Sequence, residues 1–125
     1  MITTPLNFHT NWNGKLTNGA FTTLRIWNPD RYAAGAIFDI RLTDKDGHVK
    51  INYGEAAVAE VRKLKIHQIN EYIARLDTGY SAEETRSILM TMYKNKAINW
   101  TTQELALVLL VKIKKTPTQQ TLLLT

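Results

Sequence analysis

Two adjacent hydroxyls and a guanidinium stand close together in Gly19-Ala20-Phe21-Thr22-Thr23-Leu24-Arg25. Threonine hydroxyls both donate and accept, and arginine holds out a rigid fork of donors, so this set suits an anion or the acceptor edge of a base. Thr22, Leu24 and Ile26 alternate with Thr23, Arg25 and Trp27. That pattern predicts a strand, in which residues two apart share a face. With Leu24 and Ile26 turned to the core, Thr23 and Arg25 stand side by side on the other face, with Trp27 beyond them. The competing reading is that the threonines serve β-propensity and Arg25 pairs with a surface carboxylate such as Asp39.

Other chemistry-bearing residues give weaker signals. Asp77-Thr78-Gly79 spells the aspartic-protease tripeptide, but that loop should follow a strand and be supplied twice. Here it occurs once, after an amphipathic stretch, and places Gly79 at a helix C-cap. His9, His48 and His67 lie far apart without metal-ligand spacing, so no metal or other cofactor is expected. No phosphate-binding loop, dinucleotide fingerprint or nucleophile elbow occurs. Basic residues, including Lys15, Arg25, Arg31, Arg62, Lys63 and Lys65, fall close to Trp12, Trp27, Tyr32 and Tyr53. Cations hold phosphates and aromatic rings stack on bases, although tryptophan in a small domain is most often core.

The elements that must position these residues follow from local pattern. LNFH at 6–9 suits a short strand, and 11–18 a helical turn that Gly19 closes in the left-handed region. Asn28-Pro29-Asp30 ends the strand after Trp27. Residues 36–43 and 48–53 flank Asp44-Lys45-Asp46-Gly47 and predict an antiparallel hairpin. Residues 56–66 carry apolar positions of mixed parity, which suits a bulged strand. A helix is expected from about His67, burying Ile69, Tyr72, Ile73 and Leu76. Ser81-Ala82-Glu83-Glu84 is a capping box for a second helix with Ile88, Leu89, Met92 and Tyr93 as its core face. The apolar run 105–113 suits a central strand. Strands, then helices, then a closing strand give an α+β fold built on a small sheet or barrel.

At 125 residues the chain suits one domain, expected over 1–115, followed by a tail at 116–125. Its formal charge of +5 favours a polyanionic partner. Absence of cysteine excludes thiolate and disulfide chemistry. The longest apolar run, LALVLLV, is far short of the ~20 residues a membrane helix needs. With no signal-peptide pattern, a soluble cytoplasmic protein with no membrane partner is expected.

The order of these features resembles the ASCH family of PUA-like domains. The likeness covers roughly residues 6–114 and is carried by Gly19 to Arg25, by Gly35-Ala36 before a strand, and by Gly79-Tyr80-Ser81-Ala82-Glu83-Glu84. Tyr93 and the last apolar strand complete it. The resemblance implies a small PUA-like β-barrel of about five or six mostly antiparallel strands with two or three flanking helices. It also implies a cleft that binds RNA, single-stranded nucleic acid or a nucleoside. Lys15, Thr22, Thr23, Arg25, Trp27, Arg31 and Tyr80 are the expected binding residues. Some members are amidohydrolases that remove an acyl group from N4-acetylcytidine with a lysine, a threonine and a glutamate. Here Thr23 and Glu71 match the latter two. The family's lysine position is Phe21, with Lys15, Lys63 and Lys65 as candidate substitutes, so enzyme activity is left open. A third reading is a protein-binding adaptor or inhibitor on the same barrel, using the apolar tail Leu122-Leu123-Leu124.

Overall fold

A computed structural model describes residues 3–113. The chain runs β1 (Thr4–Phe8), a 3-10 turn (Trp12–Thr17), β2 (Ala20–Ile26), β3 (Ile37–Thr43) and β4 (Val49–Lys65). A short 3-10 turn (Ile66–Gln68), α1 (Glu71–Asp77), α2 (Ala82–Met92) and β5 (Glu104–Lys112) follow. The fold is α+β, with one mixed five-stranded sheet in the order β1-β3-β4-β5-β2. β1 lies parallel to β3, and the other pairs are antiparallel. The expected C-terminal tail lies outside the described residues. Among those residues, no helix is long and apolar enough to cross a membrane.

β4 is what bends this sheet. Its first half pairs with β3 and its second half with β5, and Ala56 and Ala57 pair with both neighbours at once. Seventeen residues of straight strand would span about 56 Å, so one strand can serve two partners in a domain this small only by curving. Register shifts at Asp39/Arg41, Leu42/Thr43 and Val58/Glu60 supply that curvature, as bulges do. Gly54, at φ 91°, adds a turn that a side chain would resist. The second arm of the expected hairpin and the bulged strand are thus parts of a single long strand, β4, with β3 as the first arm. No ladder joins β1 to β2, so hydrogen bonding leaves the sheet open.

Two cores follow from the curl. Leu6, Phe8, Phe21, Phe38, Ile40, Val58, Val108 and Leu110 fill one side of the sheet. Leu24, Leu64, Ile66, Ile69, Ala74, Leu89 and Leu105 pack between the other side and the helices. β2 and β5 run between the two cores. β5 is therefore buried on one face through Ala106, Val108 and Leu110 and covered in part on the other, where Leu105 is buried and Leu107 and Leu109 are half-buried. This is why its sequence is largely apolar instead of alternating.

Three local expectations are corrected. Gly19 is not in the left-handed region; Asn13 (φ 58°) and Gly14 (φ 63°) take that role inside the first turn. The face of α1 that meets the protein carries Ile73, Ala74 and Asp77, while Tyr72 and Leu76 are 75% and 52% exposed. Here tertiary packing overrides the apolar periodicity, because a polar contact draws Asp77 inward. On α2, Ala82, Thr85 and Leu89 are buried, and Met92 is exposed. The capping box forms as expected: Glu84 N–H donates to Ser81 Oγ at 3.1 Å and Ser81 N–H to Glu84 Oε1 at 3.2 Å.

Candidate functional site

The two ends of the sheet meet through side chains. Arg25, on β2, donates from Nη2 to the Asn7 carbonyl at 3.0 Å, and Arg31 donates from Nη2 to the Pro5 carbonyl at 3.0 Å. Alternate residues of a strand present their backbone to the same edge, so both guanidiniums cover the free edge of β1. Pro5 has no N–H to leave unpaired there. Phe8 and Phe21 pack edge to face, with ring centroids 6.0 Å apart, and the Arg25 guanidinium lies 4.6 Å from the Phe8 centroid.

A cavity of about 430 Å³ opens in this seam. Its walls include Lys15, Thr23, Arg25, Arg31 and Asp77, with Trp12 and Leu89 among the apolar lining. Lys15 arrives on the turn after β1, which Leu16 anchors by full burial and Asn11 ties by accepting the Leu16 N–H at 2.9 Å. Asp77 arrives on the last turn of α1. The two meet because that first turn packs against the end of α1: a Cβ placed on Gly79 would stand 3.2 Å from Asn13 Cγ. Lys15 Nζ then donates to Asp77 Oδ1 at 3.0 Å and to the Asp77 carbonyl at 2.9 Å. Thr22 Oγ1 donates to the same Oδ1 at 2.9 Å.

Burial pushes the Lys15 ammonium below its ordinary pKa, against the attraction of Asp77, and nearby Arg25 lowers it further. Burial likewise lowers Arg25, with Arg31 adding like-charge repulsion. Neither arginine forms a salt bridge to a carboxylate among the described residues. Arg25 Nε donates to Thr23 Oγ1 at 3.0 Å, the side-by-side placement that strand alternation predicts. Thr23 is 4% exposed, and accepting this bond leaves its own proton uncommitted. Deeper in, Thr85 Oγ1 lies 2.7 Å from Thr78 Oγ1, and both residues line the cavity.

Of the expected site residues, Lys15, Thr23, Arg25 and Arg31 come together at the cavity. Thr22 lies on the opposite strand face and supports Asp77 from behind. Trp27 packs on the first core beneath Lys63 Nζ, 4.7 Å from its ring. Tyr80 stands beside the cavity, edge-on to Trp12 at 5.9 Å. Glu71 does not line the cavity: its carboxylate accepts from Arg75 Nε at 3.2 Å and caps α2 through Ala82 N–H at 2.9 Å. Asp39, the alternative partner of Arg25, pairs with Arg41 instead.

Asp77 is the residue that sequence reasoning passed over, because Asp77-Thr78-Gly79 made sense as a helix terminus. A local signal was present. A carboxylate in the last turn of a helix meets the negative end of the macrodipole, so it calls for a cation from elsewhere. Asp44, Asp46 and His48 also gather, with ligand atoms within 4.8 Å of one another. They sit on the β3–β4 turn, where Asp44 Oδ1 already accepts the amides of Asp46 and His48.

No family model, curated protein or solved structure matches this chain.

Proposed function

We infer that this chain is a PUA-like, ASCH-type domain that binds RNA or a nucleoside, with one base held in the seam cavity. The single observation that carries this reading is the cavity itself. Lys15 and Asp77 neutralise each other there, while Arg25 and Arg31 form no salt bridge among the described residues. Its volume of about 430 Å³ lies within the range of small-ligand sites. The mixture of free donors and apolar wall suits a planar, polar-edged group such as a base. The contact between β1 and β2 through Arg25, Phe8 and Phe21 supports the barrel-like half of the assignment. The net charge of +5 supports a polyanionic partner.

A salt titration with single-stranded RNA tests it. Affinity should fall as salt rises, and Arg25→Ala should weaken binding. No binding at low ionic strength, together with no effect of Arg25→Ala, sinks the proposal.

One observation favours a second reading, hydrolysis of an acylated nucleoside such as N4-acetylcytidine. A lysine, two threonines and a carboxylate do assemble, with Asp77 where Glu71 was expected and Lys15 in place of a lysine at Phe21. A lysine with a lowered pKa is more often in the neutral form that can accept a proton, and a threonine hydroxyl needs such a base to attack an acyl carbon. In this reading Thr23 is the nucleophile, Lys15 takes its proton and Asp77 orients the lysine. Acetate release that disappears in Thr23→Ala and Lys15→Met would establish it, and no turnover across a panel of acylated nucleosides would remove it.

A further inference from the structure

Arg25 and Arg31 do more than cover an edge. Each is committed through two of its three nitrogens: Arg25 through Nε to Thr23 and Nη2 to Asn7, Arg31 through Nε to the Tyr32 hydroxyl and Nη2 to Pro5. The carbonyls they bind belong to residues two apart on one strand, a separation of about 7 Å. Anchored on those two carbonyls, the guanidiniums lie at a comparable spacing, and among the described residues Nη1 of neither makes a hydrogen bond. Charge-assisted N–H···O bonds run about 2.8 Å, so a gap of this size accepts one tetrahedral anion bridged by both forks.

Aromatic packing holds the pair in place. Arg25 lies over Phe8, and Arg31 lies 5.5 Å from the Tyr32 centroid and 5.3 Å from that of Phe38. Side chains fixed in this way lose little further freedom when they bind, so two neighbouring cations that form no salt bridge among the described residues are prepared for an anion. An arginine needed only to blunt a strand edge would not have to share a cavity wall with a second one and a buried threonine.

We propose that Arg25 and Arg31 form a clamp for a single phosphate group at the seam, so that the ligand is phosphorylated rather than a free nucleoside. The inference rests on the nucleoside-or-RNA reading of the cavity and narrows it. The phosphate has two sources, the monoester of a mononucleotide or the diester of an RNA chain, and the clamp chemistry is the same for both.

Calorimetry on the full chain separates the possibilities, using the four nucleosides, their 5′- and 3′-monophosphates, inorganic phosphate and a mixed-sequence RNA decamer. At least one monophosphate, or the decamer, should bind about tenfold or more tightly than the matching nucleoside, the worth of one added charge-assisted hydrogen bond. Arg31→Gln should erase that advantage, so that each nucleotide binds no more tightly than its matching nucleoside. Arg25→Gln should do the same, and if it fails to fold, Arg31→Gln alone decides. A mononucleotide preference names a monoester, and a preference for the decamer names the RNA backbone. Equal binding of nucleosides and nucleotides overturns the clamp while leaving the cavity reading intact. Binding of inorganic phosphate that needs Arg31, with no gain from any base, keeps the clamp and removes the base-binding reading. Absence of binding by every probe removes both.

Discussion

Lys15 and Asp77, 62 positions apart, form an ion pair of 3.0 Å with side chains that are almost wholly buried, the residues being 2% and 4% exposed. Neither partner tolerates the loss of the other, since removing one leaves an unpaired charge out of water. Lys15→Met should cost about 3 kcal/mol at neutral pH. The double variant Lys15→Met/Asp77→Leu should recover a good part of that cost, so that denaturant midpoints show strong non-additivity. The pH dependence has a defined sign. The folded protein holds the Lys15 proton less tightly than the unfolded chain does, because burial lowers its pKa from the ordinary 10.5. This group's contribution to stability is therefore fully present above about 10.5 and is lost as pH falls through the lower folded value. The rise should vanish in Lys15→Met; additive single-variant costs would argue against a coupled pair.

Arg25 and Arg31 stand between the free edge of β1 and any other strand. Bare carbonyls at a sheet edge are a template for pairing with a second chain, which proteins prevent with charges and prolines. Replacing both arginines by alanine exposes the Pro5 and Asn7 carbonyls. The double variant should self-associate more than the wild-type chain, with an apparent mass that rises with concentration in size-exclusion chromatography with light scattering. An unchanged mass at every concentration would show that Pro5 and the curl of the sheet suffice.

What the sequence disclosed depended on the range of each signal. β2, the Asp-Gly hairpin and the Ser81 capping box were legible because alternation, turn chemistry and an S-x-x-E spacing act within a few residues. The adjacency of Thr23 and Arg25 was legible for the same reason. The curl of the sheet was not, since β4 pairs with partners on both sides and its bulges break the parity that would reveal a face. Nor was the meeting of Lys15 with Asp77, which depends on Asn13 and Gly14 in the left-handed region and on a close approach at Gly79. α1 misled in an informative way. Its apolar Tyr72 and Leu76 turn outward and its acidic Asp77 turns inward, a violation of pattern at the place where the candidate chemistry sits.

Ser81 and Glu84 provide a test in acid. Ser81 N–H donates to the Glu84 carboxylate in its charged form, which holds that carboxyl below its ordinary pKa of 4.5. A depressed carboxyl contributes stability that is fully present above the unfolded value and disappears as pH falls through the folded one. Glu84→Gln should therefore be less stable than wild type at neutral pH, and the gap should close once pH drops well below 4.5. Ser81→Ala removes the other half of the box, the acceptor for Glu84 N–H. It should cost about 1 kcal/mol at neutral pH and retain part of that loss in acid, because the serine hydroxyl does not titrate. Urea denaturation of the three proteins at pH 7 and pH 3 separates the two halves. An equal gap between wild type and Glu84→Gln at both pH values would mean that the carboxylate's charge contributes nothing to the start of α2.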